Sequence, residues 1–310
     1  MPTFRKISEE QTRRLNRLID RGGVKRLQKL YDRAQADLAT KLSRRFGRNS
    51  ATFTTSQMQM FQGLLRQGQL MLAAELGGAL AAATEETKAD ALHGMIRDFK
   101  TLERKYTGIA TTLPIEEAAR FEGILGANRS LIRQHSNDLM GKAAIRTIRK
   151  VERELALSLA TGETVGNAID RVQKVTGKEW WQAERIVRTE QAWAFNATHA
   201  EAIAESAQEL PDIMMRWTEL VSDSTGAPLD NRVGADSIAM HGQLAPPGGE
   251  FTMPSKADVS ASLWGKKWAH PPNRPNDRAT LQPWRPHWGI PGWVLRGGRR
   301  RNLAQPKRRR

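Results

Sequence analysis

The chain has 310 residues, 49 Lys and Arg against 33 Asp and Glu, and no cysteine. That length can bury a real core and carries a prior of two domains, while the absence of cysteine excludes a disulfide framework, a thiolate zinc site and a cysteine nucleophile. The charge sits at the ends: residues 1–50 hold 14 basic against 5 acidic side chains (+9) and residues 278–310 hold 10 against none (+10), which leaves −3 of the total +16 for the body, a distribution that points to a polyanionic partner, nucleic acid first.

Taken in chain order, the N-terminal segment MPTFRKISEEQTRR lacks the apolar run of a signal peptide. Its cations Arg13, Arg14 and Arg17 are assigned to DNA contact as a basic arm. Ser8 with Gln11 and Ser56 with Gln59 have capping-box spacing, and Pro114 followed by Glu116 and Glu117 suits a first helical turn. Leu27, Leu30, Tyr31, Ala34, Leu38 and Leu42 recur at helical spacing, as do Leu92, Met95, Ile96, Phe99, Leu102 and Tyr106. The most apolar stretch, Leu70 to Ala83, is interrupted by Glu75, Gly77 and Gly78 and is shorter than the roughly 20 residues a bilayer demands, so no membrane partner is expected. A long helix is predicted over about 130–160 and broken by Thr161 and Gly162, a shorter one over 165–175, and another over about 179–208.

Twelve of the fourteen prolines lie from Pro211 onward, and all nine tryptophans lie between Trp180 and Trp293. Proline removes a backbone donor, so the last third is predicted to be turns, short strands and extended chain. IMMRWTELV from Ile213 reads as a strand, with further short strands near 243–244 and 250–253, and Pro/Trp-rich coil with little regular structure beyond Trp264. The expected class is α+β: mainly long α-helices in the N-terminal two-thirds, a small mixed helix and hairpin domain near 211–285, and an extended Pro/Trp-rich, basic C-terminal tail. The expected domains are 1–126, helical with the basic arm; 127–285; and a basic tail over 286–310.

The tail GGRRRNLAQPKRRR buries no apolar area and binds phosphate by counterion release. Arg296, Arg299, Arg300, Arg301, Lys307, Arg308, Arg309 and Arg310 are assigned to DNA. If about five of these charges engage a duplex, log K falls against log salt with a slope of about −4.5, a loss of several hundred-fold from roughly 50 to 200 mM. Such contacts read no base sequence. Trp264, Trp268, Trp284, Trp288 and Trp293, interleaved with prolines, are expected to pin the coil onto a partner or onto the domain.

Catalytic motifs are absent: there is no HExxH, no GxSxG and no phosphate-binding loop. His93, His135 and His199 fall on predicted helices and read as ordinary surface or interface residues. His241, His270 and His287, with Asp223, Asp230, Asp236, Asn273 and Asn276, are the set from which a metal-dependent nuclease site would be built, although Asp and Asn are also what turns are made of. No metal or other cofactor is expected, and no enzyme activity.

A series of short words then appears in a fixed order. RIVRTEQAWAFNATHAEA is followed by the tryptophan strand at Arg216 to Leu220, an acidic turn at Asp223, DSIAMHGQ at Asp236 to Gln243, Phe251, and HPPNRPNDR at His270 to Arg278. Over roughly residues 140–285 this resembles the phage Mu F-like minor head proteins, the head morphogenesis proteins of tailed phages. The resemblance implies a structural virion protein made in few copies, at the portal vertex or capsid interior, with the portal or major capsid protein and packaged double-stranded DNA as partners. It assigns Arg188, Thr189 and Glu190 to the RTE helix, Trp217 to the strand, His241 and Gly242 to the turn before the next strand, and Pro271, Pro272, Asn276 and Arg278 to the closing segment. Many relatives carry cysteines in the acidic turn and in a CRC-like closing word. Here Asp277 and Ala279 flank Arg278, which removes any cysteine-bound metal and leaves hydrogen bonds and packing to hold that loop. The competing readings are a phage nuclease using His241 and His270, and a DNA-binding protein of no virion.

Overall fold

Prolines are scarce before residue 211, and the backbone up to that point is accordingly almost all helix. The computed structural model describes residues 4–47, 51–109, 111–127, 129–219, 221, 228 and 233–288. Helix α1 (Phe4–Arg17) runs through a π-helical turn at Leu18–Val24 into α2 (Lys25–Phe46); α3 (Thr55–Thr107), α4 (Ala118–Gly126), α5 (Arg129–Ala160), α6 (Val165–Lys178) and α7 (Trp180–Ser206) follow. The short elements after them are β1 (Met214–Thr218), α8 (Ala235–Met240), β2 (Leu244–Ala245), β3 (Phe251–Thr252), β4 (Lys267–Trp268) and β5 (Thr280–Trp284). The chain is thus mostly helical with a small antiparallel sheet, and no helix among the described residues is long and apolar enough to cross a membrane.

The compact bodies are interleaved rather than the three consecutive spans expected. Among the described residues, a sheet unit takes 4–16, 88–124 and those from 192 to 288, and a helical unit takes those of 17–87 and 125–191. Helices α3 and α7 each contribute residues to both.

In the helical unit, Leu38 and Leu42 of α2, Phe61 and Leu65 of α3, Val151 and Leu155 of α5, and Val165, Ile169 and Val172 of α6 form one buried cluster with Phe53. The capping box of α3 lies two residues before the predicted Ser56 and Gln59. The Thr54 hydroxyl accepts from Gln57 N–H at 3.3 Å, and the Thr54 N–H donates to Gln57 Oε1 at 2.9 Å. Ser8 lies inside α1, not at its start. Pro114 opens a single 3₁₀ turn in which the Leu113 N–H donates to Glu116 Oε1 at 2.8 Å. Gly162 closes α5 at φ +64°, a conformation other residues rarely adopt. Gly77 does not interrupt α3 but makes room for α5: a Cβ there would stand 2.9 Å from Asn137 Cα.

In the sheet unit, β1 is central, in the order β2–β1–β5, and pairs with β5 along its whole length from Met214↔Trp284 to Thr218↔Thr280. A second pair, β3 with β4, lies beyond Trp217 and its neighbour Phe251, whose rings meet edge-on at 5.4 Å. The coil expected beyond Trp264 therefore holds two strands, β4 and β5. Pro283 hides β5, yet β5 is an edge strand, where proline is tolerated. Its outward-facing groups are covered by α7 in place of a further strand: Leu281 N–H donates to Asn196 Oδ1 at 2.6 Å, and Leu281 O meets His199 Nδ1 at 2.6 Å. Residues two apart face the same way along a strand, so Pro283, like Leu281, turns its nitrogen away from β1 and costs no ladder bond.

His199 is therefore fully buried rather than a surface histidine. Its Nε2 faces Ala91 O at 3.1 Å, and burial pushes it below its ordinary pKa against the pull of the two carbonyls. Trp284 and Trp288 pin the closing segment onto this unit, as expected of one of the two docking modes. The Trp288 ring lies edge-on to Phe99 at 5.4 Å, and its Nε1 donates to Glu103 Oε1 at 2.7 Å.

Candidate functional site

Of the words quoted after residue 216, the tryptophan strand, DSIAMHGQ and the closing segment come together near the end of β1. The Trp217 N–H donates to Gln243 O at 3.0 Å and Gly242 N–H donates to Trp217 O at 2.8 Å, so the His241–Gly242 turn is stitched to the strand. The turn needs a positive φ, +82° at Gly242, which a glycine supplies without strain. Trp217 is fully buried. Two residues further on, the Glu219 N–H donates to His241 Nδ1 at 2.7 Å. Burial, and then the nearby Arg216 guanidinium, hold this imidazole well below its ordinary pKa, and it serves as a neutral acceptor.

The closing segment folds over α8. Gly234 leaves room for a charged pair: a Cβ there would stand 2.5 Å from Asp236 Oδ1 and 2.6 Å from Arg274 Nη2, and Arg274 Nε donates to Asp236 at 3.1 Å. Pro271 and Pro272 are joined by a cis peptide bond. Asn276, at φ +61°, turns the chain so that Asp277 N–H reaches Arg274 O at 3.2 Å. Arg278, half-buried, lies between the buried Asp277 and Ala279. The loop is held by hydrogen bonds and packing.

At its centre, two buried carboxyls share one hydroxyl. Ser237 Oγ is hydrogen-bonded to Glu219 Oε2 and lies 2.9 Å from Asp277 Oδ1, while Asp277 also accepts from the Asn273 N–H at 3.1 Å and the Ala279 N–H at 3.4 Å. A hydroxyl has one hydrogen and cannot donate to two carboxylates. With a proton on Asp277, that carboxyl would donate to Ser237 while Ser237 donates to Glu219, and the one serine would serve both acids. Burial pushes the Asp277 carboxyl above its ordinary value, against Ser237, the Asn273 N–H and Arg274, which pull it down.

A raised folded-state pKa favours folding fully below the unfolded value of about 4 and loses that contribution as pH climbs through the folded value. Asp277→Asn keeps the shape and can donate permanently to Ser237. Its stability relative to the natural chain is therefore expected to improve from pH 4 to pH 8, measured by urea denaturation across that range. A difference that does not change with pH would refute the shared proton.

Chemically, this cluster can hold a proton and lock a loop. Among the described residues no group of three or more His, Asp or Glu is placed to hold a metal ion. The two histidines of the nuclease reading are each engaged, His241 by Glu219, and His270 by Pro271 O at 2.5 Å from its Nδ1 and by the Trp193 ring at 5.5 Å. Asp223 and Asp230 lie outside the described residues. Glu219 and Ser237 went unnoticed in the sequence; an acid directly after the tryptophan strand and a serine inside DSIAMHGQ are the only local signs of them.

Arg188, Thr189 and Glu190 belong to the helical unit, apart from this cluster. Arg188 pairs with Asp20 at 2.6 Å and with Glu184 at 2.9 Å, Thr189 Oγ1 donates to Arg185 O at 2.8 Å, and Glu190 meets His135 Nε2 at 3.2 Å. Burial raises the Glu190 carboxyl, while His135 pulls it down.

The basic arm needs one correction. Arg14 is buried, 3.9 Å from Asp90 and 3.7 Å from Asp98, and lies so close to Gly94 that a Cβ there would stand 1.6 Å from its Nη1. It anchors α1 and presents no surface to DNA. The Asp98 carboxyl beside it is raised to about 6, mainly by burial. Arg13 and Arg17 are exposed, Arg13 within 3.5 Å of Glu9. Arg296, Arg299 to Arg301 and Lys307 to Arg310 lie outside the described residues.

Neither a family model, nor a curated protein, nor a solved structure matches this chain.

Proposed function

We propose that this chain is a non-enzymatic minor head protein of a tailed phage or prophage. In this reading it docks on the portal or capsid during head assembly, in several copies at a symmetric vertex, and grips packaged double-stranded DNA without reading its sequence. The observation that carries it is the charge distribution: +9 over residues 1–50 and +10 over 278–310 around a body of −3. Two features lend support. Trp217, Gly242 and Asn276 serve the backbone and core of the sheet unit, as structural motif residues do, and His241 spends its Nδ1 on the Glu219 N–H.

The test uses the full-length chain and a variant with Arg296, Arg299–Arg301, Lys307 and Arg308–Arg310 all changed to glutamine. The natural chain is expected to bind duplexes of unrelated sequence equally, in EDTA, with a log K against log salt slope of about −4.5 or steeper, and the variant with a much shallower one. The same particles that hold DNA should carry the protein through sedimentation. Absent or salt-insensitive binding overturns the reading, as does nicking of plasmid with Mg²⁺ or Mn²⁺ that a His241→Ala change abolishes.

A further inference from the structure

Helix α5 carries its cations in a line. Lys142, Arg146, Arg149 and Arg153 are spaced four, three and four apart, which at 3.6 residues per turn places all four within an arc of about 60°. The arc is the outer one. Met140, Ala144, Thr147, Ile148, Val151 and Leu155 fill the opposite face of the same helix and are buried, while all four cations are exposed.

None of the four is in an ion pair among the described residues; Arg146 Nε reaches only the Lys142 carbonyl, at 3.2 Å. The one acid within this stretch, Glu152, and Glu154 just after it lie off the stripe and are occupied, Glu152 by Arg66 at 3.8 Å and Glu154 by Arg171 at 2.9 Å. Helix α2 of the same unit offers a contrast. Its exposed cations are interrupted by Asp32 and Asp37, Arg26 is paired with Glu86 at 3.1 Å and Lys41 with Asp37 at 2.7 Å. On α5 no acid falls within the row from Lys142 to Arg153; the exposed Asp138, one turn before Lys142, marks its N-terminal limit.

We infer that the outer face of α5 is a second polyanion-binding surface, and that its occupant is the phosphate backbone of a nucleic-acid duplex. From Lys142 to Arg153 the helix rises by eleven steps, about 16 Å, a length over which a duplex presents roughly nine phosphates. A straight row of charges matches that line charge. Three of the four are arginines, whose planar forks suit phosphate oxygens better than a point charge does. The inference rests on the nucleic-acid reading above and moves part of the grip from the chain ends to a rigid helix in the body.

Four full-length proteins test it: the natural chain, K142Q/R146Q/R149Q/R153Q, the neutral-tail variant, and the two combined. Binding to a 30-base-pair duplex is measured from about 50 to 200 mM salt. With about 0.9 of slope per phosphate contact, the stripe variant is expected to lose about 3.6 from the slope, so that its affinity falls about 150-fold less over this range than that of the natural chain. The milder R146Q/R149Q is expected to lose about half of that, and R146K/R149K/R153K, which keeps the charge, to retain the slope. Unchanged thermal melting confirms that the fold has survived. If stripe variants bind with the natural slope while the neutral-tail variant loses it, the inference fails and the proposed function stands. No duplex binding by the natural chain removes both. Loss of binding to polyglutamate with duplex binding untouched assigns the face to an acidic protein and overturns the inference.

Discussion

Glu103→Ala is expected to destabilise the sheet unit by about 3–5 kcal/mol, the usual cost of removing one partner from a buried ion pair. Glu103 is 1% exposed near the end of α3. Its carboxylate gathers the closing segment: Arg285 Nη1 at 3.1 Å, His287 Nε2 at 2.8 Å and Trp288 Nε1 at 2.7 Å, with Thr111 Oγ1 at 3.3 Å. Alanine leaves the arginine with Asp212 alone, which it holds at 2.7 Å, and strands the indole N–H. Glu103→Gln keeps an acceptor for Trp288 but no charge for Arg285, and is expected to cost less, about 1–3 kcal/mol. Urea denaturation followed by circular dichroism measures both. Equal losses for the two variants would mean that charge plays no part in holding the segment.

Trp217→Ala is expected to cost a similar 3–5 kcal/mol, the range for removing a large aromatic side chain from a core. Trp217 is the largest fully buried side chain among the described residues, edge-on to Phe251 and carried on the central strand. Its indole N–H has no hydrogen-bond partner among the described residues. The ring is therefore there for volume, not for its polar atom. Trp217→Phe discards the unpaired donor with part of the volume and is expected to cost only about 1–2 kcal/mol. A phenylalanine variant as unstable as the alanine one would show that the indole nitrogen has a partner after all.

What could be read from the sequence was local. Leu92, Met95, Phe99 and Leu102 repeat at helical spacing because one face of α3 is buried, and Gly162 marks the end of α5 because that turn requires a positive φ. What escaped depended on distant partners. Gly77 reads as an interruption until Asn137 of α5 is seen against it, and Pro283 argues against a strand until its outward orientation on β5 is known. Arg14 reads as an arm residue because nothing nearby in sequence announces Asp90, Gly94 and Asp98. The polar centre was half visible: DSIAMHGQ and the closing word stood out, but Glu219 and Asp277 acquire their meaning only through Ser237 between them. The α5 row was legible throughout, since a spacing of four, three and four is plain in the sequence.

The interleaving of the two units sets an order of birth. Residues up to 191 are all the helical unit requires, so synthesis from the N-terminus allows it to close first. The sheet unit waits: β1 has no main partner until Thr280–Trp284 has been made, and Thr12 Oγ1 of the first helix comes within 3.4 Å of Thr280 Oγ1, 268 residues further along the chain. Until then the nascent chain carries an uncovered strand edge and an unfilled seat for Trp288, a state in which chaperone capture or premature self-association competes with maturation.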